Sequence, residues 1–344
     1  MMRLPRFEYR APRSLVEAAA MLAESPADTM LVAGGTDVLP NMKRRQQEPK
    51  TLVGLRGVRE LRALVMNGVL RIGAGVTLTD IVRSEALRAR MPGLWQAAAQ
   101  IATPHLRNMG TIGGNLCLDT RCTYYDQSYE WRKAIDFCMK KDGATCWVAT
   151  SSPKCLAVSS TDTAPMLQAL GARVRLVSAA GERWVHVADL YANDGMHYVT
   201  RRADEILASI EVPAEHGWRS TYWKLRRRGA FDFPVLSVAA AAKIAADGTV
   251  EAARVVLGAV ASRPMAAPKA EAALVGNALT DASIANAAEG AYEVAKPMDN
   301  TDFDLVWRKR MSRALVGYAL RELRGDDMRE RRLTLARQAL TVVS

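Results

Sequence analysis

No run of the 344-residue chain is apolar for long enough to span a membrane; the closest, residues 235–246, is interrupted by Lys243. The opening Met1-Met-Arg-Leu-Pro-Arg6 is basic, but the apolar stretch of an export signal does not follow it, so a cytoplasmic location is expected. The four histidines, His105, His186, His197 and His216, form no triad and no metal-ligand spacing, and each is expected to be structural or on the surface. Helix-turn-helix patterns, zinc fingers and aromatic-interleaved basic strips are missing, as are internal repeats. The formal charge of +11, from 47 basic and 36 acidic residues, therefore does not indicate nucleic acid. Basic clusters at Lys43-Arg-Arg45, Arg226-Arg-Arg228, Arg308-Lys-Arg310 and residues 329–332 would favour an acidic redox protein or a phosphate-bearing cofactor, although solvated helix faces account for the C-terminal ones more simply.

Cysteine is scarce, and its placement is informative. All five, Cys117, Cys122, Cys138, Cys146 and Cys155, fall in one stretch, which argues for a shared ligand sphere. Disulfides are disfavoured in the reducing compartment that a chain without an export signal is expected to occupy. No short Cys-x2-4-Cys knuckle is present, although four thiolates would suit zinc. Wide spacing suits a cluster, which is larger than one ion and can be wrapped by a longer loop. Spacing alone leaves zinc and an iron–sulfur cluster both open, with free thiols a third possibility. Cys117 reads as a small buried hydrophobe. The segment has little periodicity, and so long an irregular stretch needs something to organise it.

Elsewhere strands and helices alternate, as in an α/β or α+β chain. Ser14 and Glu17 have capping-box spacing for a helix through Leu22. Strands are expected at residues 29–33, 51–55, 70–74, 173–177, 185–187, 206–210, 235–244 and 252–261. Helices are expected at 78–87, 94–102 (after a break at Pro92-Gly93), 164–170, 268–275, 281–295 and 304–323. A domain boundary is placed at residues 215–221.

Two glycine motifs carry the functional argument. Ala33-Gly-Gly-Thr-Asp37 directly follows a buried strand, where a glycine pair lets the backbone turn tightly and its amides cradle a pyrophosphate. Asn108-Met-Gly-Thr-Ile-Gly-Gly-Asn115 gathers three glycines, a hydroxyl and an amide, which is poor material for a core and good material for wrapping a polar ligand. Neither matches the Rossmann Gly-x-Gly-x-x-Gly pattern.

Together these segments resemble the two flavin loops of the FAD-binding subunits of the molybdenum hydroxylase (xanthine oxidase/carbon monoxide dehydrogenase) family. The likeness continues through Ser160-Thr-Asp162, Ile206-Leu207, Tyr222-Trp-Lys224-Leu-Arg-Arg-Arg228 and Asp302-Phe to Trp307-Arg-Lys-Arg-Met, and covers nearly the whole chain. The resemblance implies an α+β fold, with a two-subdomain FAD-binding domain of PCMH type over residues 1–217 and a smaller α/β C-terminal domain of the carbon monoxide dehydrogenase flavoprotein type over 222–335. By position, Leu31, Val32, Ala33, Gly34, Gly35, Thr36, Asp37 and Val38 would hold the pyrophosphate. Thr111, Gly114, Asn115 and Asp162 would line the flavin pocket, Leu207 would pack near the ring, and Lys224 would sit beside the flavin.

The insertion at about 117–158, with its Arg121-Cys-Thr-Tyr-Tyr-Asp126, further resembles that of 4-hydroxybenzoyl-CoA reductase beta subunits. That resemblance implies a 4Fe-4S cluster on Cys122, Cys138, Cys146 and Cys155, with Cys117 excluded. It also implies an electron relay: a reduced ferredoxin supplies the cluster, which supplies FAD. A 2Fe-2S subunit and a molybdenum subunit then carry out the reductive dehydroxylation in a dimer of heterotrimers. Lys140, Lys141 and Lys154 would raise the cluster's potential or meet the acidic donor. The alternatives are an FAD/4Fe-4S subunit of an aldehyde- or purine-oxidising enzyme and a zinc-stabilised flavin-binding scaffold.

Overall fold

The computed structural model describes residues 3–213 and 217–337, an α+β arrangement built on three sheets. Glu215 and His216 lie outside the described residues, as do the first two methionines. The first sheet is parallel and ordered β1-β3-β2, from β1 (Glu8–Arg10), β2 (Thr29–Val32) and β3 (Thr51–Gly54). The helix Leu15–Glu24 packs Ala18, Ala19 and Leu22 into a core with Val53, Val58 and Leu61. Ser14 caps it, accepting from the Glu17 amide at 3.1 Å, but the Glu17 carboxylate accepts from Arg13 N, so the capping box does not close on Ser14 itself.

The second sheet is antiparallel and ordered β4-β5-β8-β6-β7, from β4 (Leu64–Asn67), β5 (Val69–Gly73), β6 (Arg173–Ser178), β7 (Gly181–His186) and β8 (Ile206–Val212). Central β8 is buried throughout, and its one charge, Glu211, is held by Arg71 and Arg173 at 3.0 and 2.6 Å. The single helix expected at 78–87 is two, Leu78–Arg83 and Glu85–Arg90. Ser84 between them is extended, and its hydroxyl caps the second at Leu87 N. Pro92 begins the helix Pro92–Ala99 rather than breaking the chain before it, because a first-turn residue needs no amide proton.

The third sheet, β12-β11-β10-β9, is antiparallel, from β9 (Trp218–Leu225), β10 (Leu236–Ile244), β11 (Val250–Gly258) and β12 (Met265–Ala266). Along β10, Ala239 and Ala241 face the core of the second sheet, while Val238, Ala240 and Ala242 face the sheet's own helices. Burial on both faces explains why Val238 to Ala242 read as a continuous apolar run of small residues. The helices Pro268–Leu274, Asp281–Val294 and Leu305–Arg324 complete the second of these cores. Arg308 is not part of a solvated face: its buried guanidinium donates to the carbonyls of Val235, Ala259 and Met298, and burial pulls its pKa down to about 10. No helix among the described residues is long and apolar enough to cross a membrane.

Candidate functional site

The end of β2 and the segment after β5 bring the two glycine loops together. Gly34 lies against the Met109 carbonyl so closely that no Cβ would fit, and Gly35 is left-handed at φ +71°. The second loop is fixed from beneath by Ile112 N and Gly113 N, which donate to Val76 O and Ala74 O at 3.0 and 2.9 Å. A Cβ on Gly113 would meet Ala74 at 2.6 Å. Thr111 caps the short helix Ile112–Leu116 through the Gly114 amide at 3.1 Å. Asn115 Oδ1 accepts from the hydroxyls of Thr161 and Thr163 and from Thr163 N.

Between the loops lies a cavity of about 490 Å³. Residues 31–38, Thr111, Gly114, Asn115, Asp162 and Leu207 all line it. Lys224 stands one layer behind: its fully buried ammonium is 3.0 Å from the Asp162 carboxylate and 3.1 Å from the Gln100 carbonyl. The Asp162 carboxylate also accepts from the Tyr222 hydroxyl at 2.8 Å. Burial raises the pKa of Asp162 and lowers that of Lys224, and each opposes the other's shift as a counter-charge.

Several lining residues carried no sequence signal. Asp119 and Arg121 reach the cavity from just beyond the second loop, Tyr198 and Phe233 from distant segments, and Cys117 is half-buried on its wall. Arg121 ties the first loop to the cysteine segment: its guanidinium contacts the Asp37 carboxylate, donates to Asn41 Oδ1 at 3.2 Å and stacks 4.6 Å from the Phe233 ring.

The cysteine segment is a closed loop. Arg121 and Val158 exchange backbone hydrogen bonds of 2.8 and 2.7 Å and seal its neck. Inside, Cys122, Cys138 and Cys155 pack with Tyr125 and Ala157, and Tyr124, Met139 and Trp147 lie around them. Cys146 is buried as well and acts electrostatically on Cys155. Burial pushes the Cys122 thiol up to about 12 and the Cys155 thiol up to about 11, so thiolates there call for a cationic partner. All five thiols are free. Among the described residues no three His, Cys, Asp or Glu side chains stand close enough to hold a single metal ion. Cys122, Cys138 and Cys155 share one buried cluster, and Cys146 is buried in the same loop outside that cluster.

The three lysines of this segment differ. Lys140 is buried and cannot meet a donor protein, whereas Lys141 pairs with Asp142 at 3.3 Å and Lys154 donates to the Asn193 carbonyl at 2.6 Å near the surface.

A cavity walled by two glycine loops, with a parallel strand feeding the first, is a place suited to a phosphate-bearing ligand. Residues 5–215 match the model of the FAD binding domain in molybdopterin dehydrogenase, and residues 220–323 match the CO dehydrogenase flavoprotein C-terminal domain. The chain belongs to that family and is an FAD-binding subunit of the molybdenum hydroxylase type. It is 31% identical over 327 residues to the aldehyde oxidoreductase FAD-binding subunit PaoB of Escherichia coli, covering 91% of this chain and 98% of that one. It is 28% identical over 320 residues to the carbon monoxide dehydrogenase medium chain of Hydrogenophaga pseudoflava, covering 92% and 96%. A solved carbon monoxide dehydrogenase from the latter organism superposes with a TM-score of 0.75 at 29% identity, over 93% of this chain and 98% of that one.

Proposed function

We propose that this chain is the FAD- and 4Fe-4S-carrying electron-transfer subunit of a cytoplasmic molybdenum enzyme, assembled with a molybdenum subunit and a 2Fe-2S subunit as a dimer of heterotrimers. The observation that carries the proposal is the shared wall between the two sites: Asp119 lines the flavin cavity and pairs at 2.8 Å with Lys140, which lies in the cysteine loop. When bound, the two groups supply single-electron exchange on one side of that wall and one- or two-electron exchange on the other. Residues 31–38 bind and orient the dinucleotide through backbone amides, and Thr111, Gly114 and Asn115 line the pocket beside it. Asp162, fixed by Lys224 and Tyr222, holds a polar edge of the cavity in place. The four cysteines hold the cluster, and the Arg121–Val158 neck excludes water from it. No side chain of this subunit acts on the substrate. The division into residues 1–217 and 222–335 is part of the same reading.

For the substrate, the relatives named for carbon monoxide, aldehyde, nicotinate and xanthine favour oxidation of an aldehyde or purine, with electrons leaving through the flavin. A second reading, reductive dehydroxylation of 4-hydroxybenzoyl-CoA with reduced ferredoxin, is favoured by the four-cysteine insertion and its Arg121-Cys-Thr-Tyr-Tyr-Asp126. Assay of the purified complex separates the two: turnover of aldehydes or purines with NAD supports the first, and turnover of 4-hydroxybenzoyl-CoA with reduced ferredoxin the second. Iron, zinc and flavin analysis with electron paramagnetic resonance of anaerobically prepared protein tests the cofactor set. Zinc without iron, and no signal on reduction, would make the insertion a zinc-stabilised scaffold.

A further inference from the structure

A buried ion pair occupies the wall shared by the flavin cavity and the cysteine loop. The Lys140 ammonium lies 2.8 Å from Asp119 Oδ1, 2.7 Å from Thr120 Oγ1 and 2.7 Å from the Gly195 carbonyl oxygen, with the Tyr125 and Tyr198 rings at 4.9 and 5.5 Å. All three ammonium protons therefore have an acceptor, and the two charged side chains are only 6% and 7% exposed. Asp119 is held in turn by Thr120 N at 2.8 Å and by Gln47 Nε2 at 3.3 Å.

The pair is oriented. Its negative end belongs to the cavity, which Asp119 lines. Its positive end belongs to the cysteine loop: Lys140 is carried between Cys138 and Cys146, and the Gly195 whose carbonyl it donates to gives its own amide to the Cys155 carbonyl. Gly195 fixes that geometry. Its carbonyl takes Lys140 and Thr120, its amide donates to the Cys155 carbonyl at 2.9 Å, and a Cβ there would lie 2.7 Å from Cys155 Sγ.

We propose that Lys140 is a positioning residue that sets the reduction potential of the group held by Cys122, Cys138, Cys146 and Cys155, with Asp119 as its counter-charge on the flavin side. The inference rests on the cluster reading above. An electron added inside a protein is stabilised by a fixed positive charge nearby and destabilised by a negative one, and the effect is large where water is excluded. With the ammonium carried by the cysteine loop and the carboxylate lining the cavity, the pair makes an electron more stable on the side of the cysteine loop than on the flavin side. Removing either partner leaves the other uncompensated, so the two removals act with opposite sign.

The test is an anaerobic redox titration of the full complex followed by electron paramagnetic resonance, with iron and flavin measured on the same samples. Lys140→Met is expected to shift the cluster midpoint to a more negative potential and Asp119→Asn to a more positive one, while Lys140→Arg stays close to the parent. A purely structural pair would lower iron content in both variants without opposed shifts. If the iron-loaded variants keep the parent potential, the inference is overturned while the cluster reading stands. Should Lys140→Met hold no iron, an unmoved potential in Asp119→Asn overturns the inference equally. Iron absent from the parent complex would overturn the cluster reading, and this inference with it.

Discussion

Gly34 faces a backbone carbonyl, and that contact cannot be relieved by turning a side chain. A methyl group there forces the two flavin loops apart, and overpacking of this kind costs on the order of 1–3 kcal/mol. Gly34→Ala is therefore expected to weaken flavin binding roughly tenfold or more, since about 1.4 kcal/mol corresponds to a factor of ten. Titration of flavin fluorescence checks this, with circular dichroism showing that the fold is kept; unchanged affinity would mean that the loops do not have to touch. A second residue-scale effect concerns pH. Burial raises the Glu322 carboxyl, but its ion pair with Arg332 and hydrogen bonds from Thr221 and Trp223 outweigh that, leaving it below its ordinary value of 4.5. A depressed carboxylate stabilises the fold above its unfolded pKa, and that contribution disappears as pH falls through the folded one. Glu322→Gln should consequently destabilise the protein at pH 7 more than at about pH 3, as read from melting temperatures at the two pH values. An equal loss at both would remove the carboxylate from the acid response.

At the scale of elements, what could be read from the sequence was what depends on neighbours in the chain. Ser14 announces its helix, and the Gly-Gly pair after β2 announces its loop, because each solves a local backbone problem. The break at Ser84 was hidden, since its flanks suit one helix as well as two and the decision lies with a single hydroxyl cap. Tyr198 and Phe233, and the contact of Arg121 with Asp37, were hidden for another reason: they meet the flavin loops only after the chain has closed on itself. The cysteine loop shows both sides. Its thiols stood out by composition, whereas the bridge between Arg121 and Val158 that closes it is long-range. That neck predicts separable losses. On the proposed cluster reading, Cys146→Ser should abolish most of the iron and leave flavin content near the parent level, because Cys146 is not among the residues that line the cavity. Arg121→Met, which frees Asp37 and Asn41 as well as the loop, should lower iron and flavin together. Measured iron-to-flavin ratios decide: flavin lost in the cysteine variant would mean that the two sites fold as one.

At the scale of the whole molecule, the junction between the second and third sheets runs beneath the flavin cavity. β9 sits against the helix Pro92–Ala99, where Gln96 Oε1 accepts from Tyr222 N at 2.8 Å and from Thr221 Oγ1 at 3.0 Å. From the same strand Tyr222 and Lys224 reach across to Asp162, at the head of the helix Thr163–Ala169. The ion pair is thus a cross-link between the two halves as well as part of the cavity wall. Resemblance places Lys224 beside the flavin; in the structure its fully buried side chain pairs with Asp162, which lines the cavity. Such a pair is expensive to break and cheap to replace. Removing one partner strands a buried charge at a cost of roughly 3–5 kcal/mol, whereas removing both strands none. Asp162→Asn and Lys224→Met should each lower stability by about that much in denaturant titrations, and the double variant by clearly less than their sum. Asp162→Asn should also lose flavin, because its carboxylate faces the cavity, while Lys224→Met loses it only as far as Asp162 moves. Additive losses in the double variant would show that the two side chains act independently and that the junction is held by packing alone.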